Sequence, residues 1–389
     1  MTYLGLEESL LTKLGASHTA REIEQQPDLW LEIYKMMVQR REETIAWLQD
    51  VYPHINQIIL TGAGSSGFLT KPLEGIFFKC TGIPTKFVLT TDLVTHPNDY
   101  FGIEDGILMI SFARSGNSPE SAAAVNLAEQ LVQHCYHIII TCNQKGELAK
   151  TETRRPKLLL ALPPRANDQS LAMTSSFTSM LLTGVLLARI NQLPELKEQV
   201  RLMGQYARKL LREDHDTLKS IAAFDFKRAV FLGAGPLFGI AMESDLKLQE
   251  LTAGKVICKH DSFLGFRHGP KVVIDEETLV VYLFSNENYV HQYEEDLVRS
   301  MEKGKKALFE LGIAQHANIE AELNQLISFS DTDQRLEENF WAIVAVLPGQ
   351  ILGFYKSLDL GLQPDSPSTD GAISRVVEGV SIYPLLMPA

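Results

Sequence analysis

Gly106-Ile107-Leu108-Met109-Ile110-Ser111-Phe112-Ala113-Arg114-Ser115-Gly116-Asn117-Ser118-Pro119-Glu120-Ser121 is the stretch on which the fold turns. Its apolar opening reads as a buried strand, and the alanine-rich run after Ser121 reads as a helix. Pro119 suits the first helical position, where a missing N–H costs nothing. That makes Ser118 the N-cap. A helix start offers unpaired backbone N–H groups and the positive end of a dipole, which together attract anions. Serine hydroxyls add donors without bulk, and Gly116 lets the backbone approach a ligand closely. Capping accounts for Ser118 but not for Arg114, Ser115 and Gly116 together. The turn is expected to hold a phosphate.

The same strand–turn–helix grammar extends in both directions. Ile58 to Thr61 reads as a strand, followed by Gly62-Ala63-Gly64-Ser65-Ser66-Gly67 and a helix. Further strands are expected at Lys86–Leu89, His137–Thr141 and Leu158–Leu162, with helices at Glu120–His134 and Thr174–Ile190. Strands alternating with helices imply an α/β fold with a parallel sheet. The pattern then restarts. Arg228 to Leu232 leads into a second Gly-Ala-Gly turn, Gly233-Ala234-Gly235, and a helix from about Phe238 to Leu251. A repeated tripeptide alone is chance, but a repeated context points to an internal duplication. Val256–Cys258 and Leu279–Phe284 continue the second copy as strands, with a charged helix over Tyr289–Leu311 and a final helix over Leu336–Leu360. Ahead of both copies, Thr19 to Glu22 has capping-box spacing, and an amphipathic helix runs from Pro27 to about Asp50. The expected organisation is a helical leader at 1–44, α/β domains at 45–200 and 215–362, and a tail at 363–389.

Composition narrows the function. A chain of 389 residues is long for one core. With 36 basic against 48 acidic residues the net charge is −12, which disfavours a nucleic-acid backbone or an anionic membrane as partner. No apolar run reads as approaching the roughly 18 residues of a membrane span; Met180–Ile190 comes nearest. The start of the chain lacks a basic region followed by an apolar one, so no signal peptide is expected. Cys80, Cys135, Cys142 and Cys258 show no metal-ligand spacing and read as reduced thiols of a cytoplasmic protein. No metal is expected.

Gly62 to Gly67 matches a dinucleotide-binding glycine pattern. A dinucleotide site also wants an acid near the end of the next strand, and Asp92 is only a loose candidate. Ser65 and Ser66 fit a small phosphorylated ligand better, with Gly64 giving backbone access. Two further clusters carry titratable groups. Glu243, Lys247 and Glu250 recur on one helical face. They read either as a solvated, salt-bridged stripe or as a carboxylate base whose charge Lys247 controls. His268, within Gly265-Phe266-Arg267-His268-Gly269-Pro270, lies on a loop and can both accept and donate a proton near neutral pH.

Taken in order, these strings resemble the sugar isomerase (SIS) domain family. Leu60–Ser66, Thr90–Thr95, Ser111–Ser121, Ala172–Ser176, Leu251–Lys255, Gly265–Lys271 and Arg375–Gly379 carry the resemblance, from about residue 19 onward. The chain looks most similar to the galactosamine-6-phosphate deaminase/isomerase group, also labelled tagatose-6-phosphate ketose/aldose isomerase. The resemblance implies two tandem SIS domains, each a flavodoxin-like parallel sheet between helices. It implies phosphate contacts from Ser66, Ser115 and Ser118 with backbone help from Gly64 and Gly116, and it brings in Ser65 and Thr174 beside them. Glu250 matches the enolisation base, Lys247 a lysine beside it, and His268 the ring-opening residue. In the related synthase that histidine comes from the neighbouring subunit, so a homodimer with shared sites is implied.

Three departures from the synthase pattern stand out. Ala113-Arg114 replaces Ser-Gln, which removes a hydroxyl and adds a guanidinium that can contact phosphate or another polar substrate group. Met173 replaces a serine. Arg375 stands where the synthase has a lysine able to form an imine, and arginine stays protonated and does not do so readily. No glutamine-hydrolysing domain is expected ahead of the pair. The implied reaction is cofactor-free: galactosamine 6-phosphate to tagatose 6-phosphate plus ammonia, with simple aldose–ketose isomerisation as the alternative. A non-catalytic sugar-phosphate sensor is the alternative of another class, but the acidic leader carries no basic recognition helix.

Overall fold

The computed structural model describes residues 1–102, 106–330, 334–368, 371–377 and 379–385. Glu378, within the Arg375–Gly379 string, lies outside them. Among the described residues a short antiparallel pair, Thr2–Tyr3 with Leu6–Glu7, stands apart from ten strands that form two five-stranded sheets. The first contains β1 (Gln57–Thr61), β2 (Thr85–Phe87), β3 (Gly106–Ala113), β4 (His134–Thr141) and β5 (Leu158–Ala161). The second contains β6 (Arg228–Leu232), β7 (Ile257–Asp261), β8 (Thr278–Leu283), β9 (Phe309–His316) and β10 (Gln325–Ser330). All pairings within them are parallel, and the spatial orders are β2-β1-β3-β4-β5 and β7-β6-β8-β9-β10. Each is therefore the same 2-1-3-4-5 flavodoxin-like sheet. The chain is two tandem α/β domains, as the repeated pattern implied. All eight residues of β3 are buried, the mark of a central strand covered on both faces.

The duplication extends to atomic detail. Gly64 and Gly235 both adopt φ +54°, with ψ −131° and −124°, a region open essentially to glycine alone. A Cβ on Gly62 would lie 2.3 Å from the Ser66 carbonyl oxygen, and one on Gly233 2.3 Å from that of Leu237. Both turns thus use their first glycine to bring strand and helix together.

Two compact units divide the chain. One comprises Met1–Leu31, Asp168–Thr174 and Lys197–Asp370 and holds the second sheet. The other comprises Glu32–Asn167, Ser175–Leu196 and Gly371–Ala389 and holds the first. In the first-sheet unit, Ile59, Ile107, Met109, Val125, Leu131 and Ile139 belong to one core cluster, and Leu385 of the tail packs on it. In the second-sheet unit, Val230, Tyr282, Phe284, Phe263 and Leu297 form the counterpart.

Four local expectations need correction. The Thr19–Glu22 capping box is not formed. The helix spans Ser17–Glu24, and Ala16 at its N-cap has no side-chain acceptor. Asp365 caps it from far along the chain, accepting from the Thr19 N–H (2.7 Å), the Thr19 hydroxyl (2.8 Å) and the His18 N–H (3.1 Å). Glu22 is buried and accepts from the Gln169 N–H and the Ser170 hydroxyl. Second, the charged helix ends at Met301, and residues 309–316 are strand β9. Gly304 and its lysine neighbours end the helix, and alternation resumes at Phe309. Third, the last helix is two, Glu338–Ala345 and Leu347–Asp359, with the break just ahead of Pro348, whose ring and missing N–H disrupt a helix interior. Fourth, Glu338–Asp359 is long and apolar enough to cross a bilayer by length and composition, more so than Met180–Ile190, but it is almost wholly buried inside the protein.

Candidate functional site

In the first-sheet unit the site is built where β1 and β3 run side by side. Thr61 pairs with Ser111, so the turns that follow these strands emerge together at the carboxyl edge, where the chain diverges to opposite sides. Ligands of open α/β sheets bind at such a switch point. Ser65 and Ser66 are buried in the first turn after Gly64. Ser118 occupies the N-cap of helix Pro119–Leu131 with extended backbone, but its hydroxyl makes no capping hydrogen bond. Gly116 has φ +65°. The Ser115 hydroxyl accepts from the Asn117 N–H at 3.2 Å.

A loop after β4 braces this turn. Asn143 Nδ2 donates to the Ser115 carbonyl (2.8 Å), the Leu148 N–H to that of Gly116 (2.8 Å), and the Glu147 N–H to Asn117 Oδ1 (3.2 Å). A Cβ on Gly146 would sit 2.4 Å from the Ser115 carbonyl oxygen, so glycine is needed there for the loops to touch. The result is a cradle-shaped turn tied to the neighbouring loop by three hydrogen bonds.

Arg114 is buried within this cradle, and its Nη2 donates to the main-chain oxygen of Arg375 at 2.5 Å. Arg375 Nη2 in turn donates to Asn167 Oδ1 at 2.7 Å. The two arginines are thus brought together, and Arg375 is only half buried. Thr174 is held by Asp168, to which both its N–H (2.8 Å) and its hydroxyl (3.3 Å) donate. It belongs to the second-sheet unit.

In the second-sheet unit, helix Pro236–Leu251 carries Glu243, Lys247 and Glu250. Lys247 is fully buried, contacts Glu250 Oε2 and lies 3.4 Å from Glu243 Oε1. Glu243 is also fully buried, whereas the Glu250 side chain is 23% exposed. The solvated-stripe reading is thereby excluded. The Lys247 ammonium thus lies between two carboxylates, and of the three side chains Glu250 is the one that reaches the surface. Glu250 lies in the last turn of the helix, about 20 Å from Gly235 at 1.5 Å per residue. Ala253, just beyond it, has φ +49°. Non-glycine residues in this left-handed region cost energy and gather at functional turns.

His268 sits on an exposed turn after the short helix Phe263–Phe266. Ser262 caps that helix through the Gly265 N–H (3.0 Å), and Arg267 pairs with Asp296 at 2.8 Å.

A family model described as the SIS domain matches residues 53–190. Across 387 residues the chain is 38% identical to the D-galactosamine-6-phosphate deaminase AgaS of Shewanella sp. (strain ANA-3), covering 98% of this chain and 95% of that protein. The chain belongs to the SIS domain family. Two solved structures extend the match over the full fold. A SIS relative from Clostridium novyi NT superposes with a TM-score of 0.96 at 38% identity, covering 99% of this chain and all of that one. The tagatose-6-phosphate ketose/aldose isomerase from Escherichia coli gives 0.84 at 34% identity, covering 94% and 96%.

Several polar groups of this SIS chain carry no signal in the sequence. Asn143 and Asn167 act on partners distant in the chain. Glu129, Cys135 and His137 form a further cluster at the start of β4. His137 Nε2 lies 2.9 Å from Glu129 Oε1 and 3.3 Å from Cys135 Sγ. Burial would raise the Glu129 carboxyl, but hydrogen bonds from His137 and Arg154 outweigh it and hold it at about 2. Burial pushes the Cys135 thiol well up. The spacing Cys135–His137 places both on one strand face, which is the only hint the sequence offers.

Proposed function

We propose that this chain is an amino-sugar-phosphate deaminase/isomerase that converts galactosamine 6-phosphate to tagatose 6-phosphate and ammonia without a cofactor. The observation that carries the reading is the buried Glu243–Lys247–Glu250 clamp, found in a chain that matches a named deaminase along nearly all its length. The sugar phosphate binds at the cradle of Gly64, Ser65, Ser66, Ser115, Gly116 and Ser118. Arg375 lies beside it as a polar contact. His268 shuttles a proton to open the pyranose ring. Glu250 removes the proton from carbon 2 to give an enolamine, and return of that proton at carbon 1 gives the 2-imine. Water then hydrolyses the imine to ketose and ammonia. Lys247 pairs with the Glu250 carboxylate and so positions it as the base.

The segments 45–200 and 215–362 serve as the two SIS domains, with 1–44 as leader and 363–389 as tail. A homodimer completes the site. The exposed turn of His268, flanked by Leu264 (49% exposed) and Val272 (78% exposed), supports coverage by a second copy. The scattered spacing of the four cysteines supports a reducing, cytoplasmic location. Neither nucleic acid nor membrane enters as a partner in this reading.

The decisive assay incubates the protein with galactosamine 6-phosphate and, separately, with tagatose 6-phosphate. Ammonia release with ketose from the first supports deamination. Aldose from the second without ammonia from the first supports the simple isomerase named for the structure from Escherichia coli. Binding of both without turnover would leave the sensor reading standing. Mixing Glu250→Gln with His268→Ala protein tests the shared site, because heterodimers regain one intact site only if the two residues come from different subunits.

A further inference from the structure

The duplication supplies a second turn equivalent to the phosphate cradle. Thr61 precedes Gly62 and pairs with Ser111, and Leu232 precedes Gly233 and pairs with Tyr282. By that register Ser285-Asn286-Glu287, after β8, stands where Arg114-Ser115-Gly116 stands after β3. The donors of this second turn are already engaged by carboxylates of the same unit. The Ser285 hydroxyl donates to Glu338 Oε1 at 2.6 Å, and the Asn286 N–H donates to Glu338 Oε2 at 2.9 Å. The Ser285 N–H donates to Glu294 Oε2 at 2.9 Å. Glu338 opens the helix after the last strand of its sheet, the place that Ser175 holds in the first-sheet unit. A carboxylate there occupies an anion position at a helix N-terminus, with both oxygens held by the turn.

The surroundings fit one negative charge. Burial, reinforced by the nearby Glu338, pushes Glu294 up to about 8, so at neutral pH it is largely protonated. Gln315, His291, His316 and Arg335 line the adjoining pocket. Gln315 is almost wholly buried, and its Oε1 has no hydrogen-bond partner among the described residues.

We propose that the turn Ser285–Glu287 is a second anion site held shut by Glu338, and that removing this carboxylate converts it into a phosphate-binding site. Each chain then takes one phosphate, at the first cradle. The single phosphate at the first cradle rests on the function proposed above; the role of Glu338 does not.

Equilibrium dialysis with inorganic phosphate tests it. The parent chain should bind one phosphate, Ser115→Ala none, and Glu338→Ala two. Glu338→Ala with Ser115→Ala should bind one, and adding Ser285→Ala should remove it. Turnover of Glu338→Ala should stay within about twofold of the parent. A folded Glu338→Ala chain that gains no site overturns the proposal. Should that variant fail to fold, Glu338→Ser, whose short side chain also vacates the turn, serves instead: a gained site supports the proposal, and unchanged stoichiometry overturns it. If Ser115→Ala leaves parent binding intact while Glu338→Ala still gains a site, the first cradle is misassigned and the second inference survives.

Discussion

Arg114, in the turn after β3, donates its Nη2 hydrogen to the backbone carbonyl of Arg375, 261 residues away in sequence. The guanidinium that distinguishes this turn from the synthase pattern therefore has work inside its own unit. It holds the tail segment whose Arg375 side chain reaches Asn167. A hydrogen bond to a charged donor contributes roughly 1.5–3 kcal/mol. Arg114→Met should speed amide exchange across 371–377 well before it affects exchange in β3. If Arg114 served only as a phosphate contact, KM would rise with tail exchange unchanged.

Ser118 separates binding from stability. Truncating an N-cap hydroxyl usually costs about 0.5–2 kcal/mol, but this hydroxyl makes no capping bond. Ser118→Ala should leave thermal stability nearly unchanged while raising KM for the sugar phosphate severalfold. A marked fall in melting temperature with unchanged KM would assign it a structural role.

Glu250 and Lys247 should fail differently. A general base contributes about 10²–10⁴-fold, so Glu250→Gln should lose that much kcat with little change in KM or stability. Lys247→Met leaves the buried Glu243 beside no ammonium. Breaking a buried pair costs about 3–5 kcal/mol, so denaturant titration should show a large loss of stability as well as activity. A fully active Glu250→Gln protein would remove the proposed mechanism.

Glu294 predicts a pH dependence of stability. Its folded pKa, about 8, exceeds the ordinary value of 4.5. The folded state thus holds an extra proton between those limits. Its stabilising effect is complete below about 4.5 and is lost as pH rises to 8. Glu294→Gln removes this dependence. The variant's melting temperature relative to the parent should climb from pH 5 to pH 8. A constant difference would show that Glu294 does not titrate in that window.

The strand–turn–helix units could be read because apolar runs, glycines and Pro119 are local signals. β9 could not, because the lysine-rich stretch around Gly304 continues the composition of the preceding helix, and Phe309–His316 regains alternation only briefly. The face shared by Glu243, Lys247 and Glu250 was legible from spacing. Whether that face was wet or dry depended on burial, which no local pattern encodes. The Asp365 cap on Thr19 joins opposite ends of the chain. The capping box drawn from Thr19 and Glu22 was wrong because Glu22 turns inward to Ser170. The Arg114–Arg375 contact is equally non-local, so residue type alone pointed only to anion chemistry.

The assignment of the chain's ends has a consequence for how the protein is made. The second-sheet unit needs residues 1–31 together with 197–370, and the first-sheet unit needs 371–389 as well as its central segments. A ribosome that has finished the first sheet has not yet produced the residues that complete that unit. The Ser17–Glu24 helix is made long before the 347–359 helix it packs on and the Asp365 that caps it. Neither half can be cut out as a contiguous piece and keep all its contacts, so the repeat that arose by duplication is no longer separable by it.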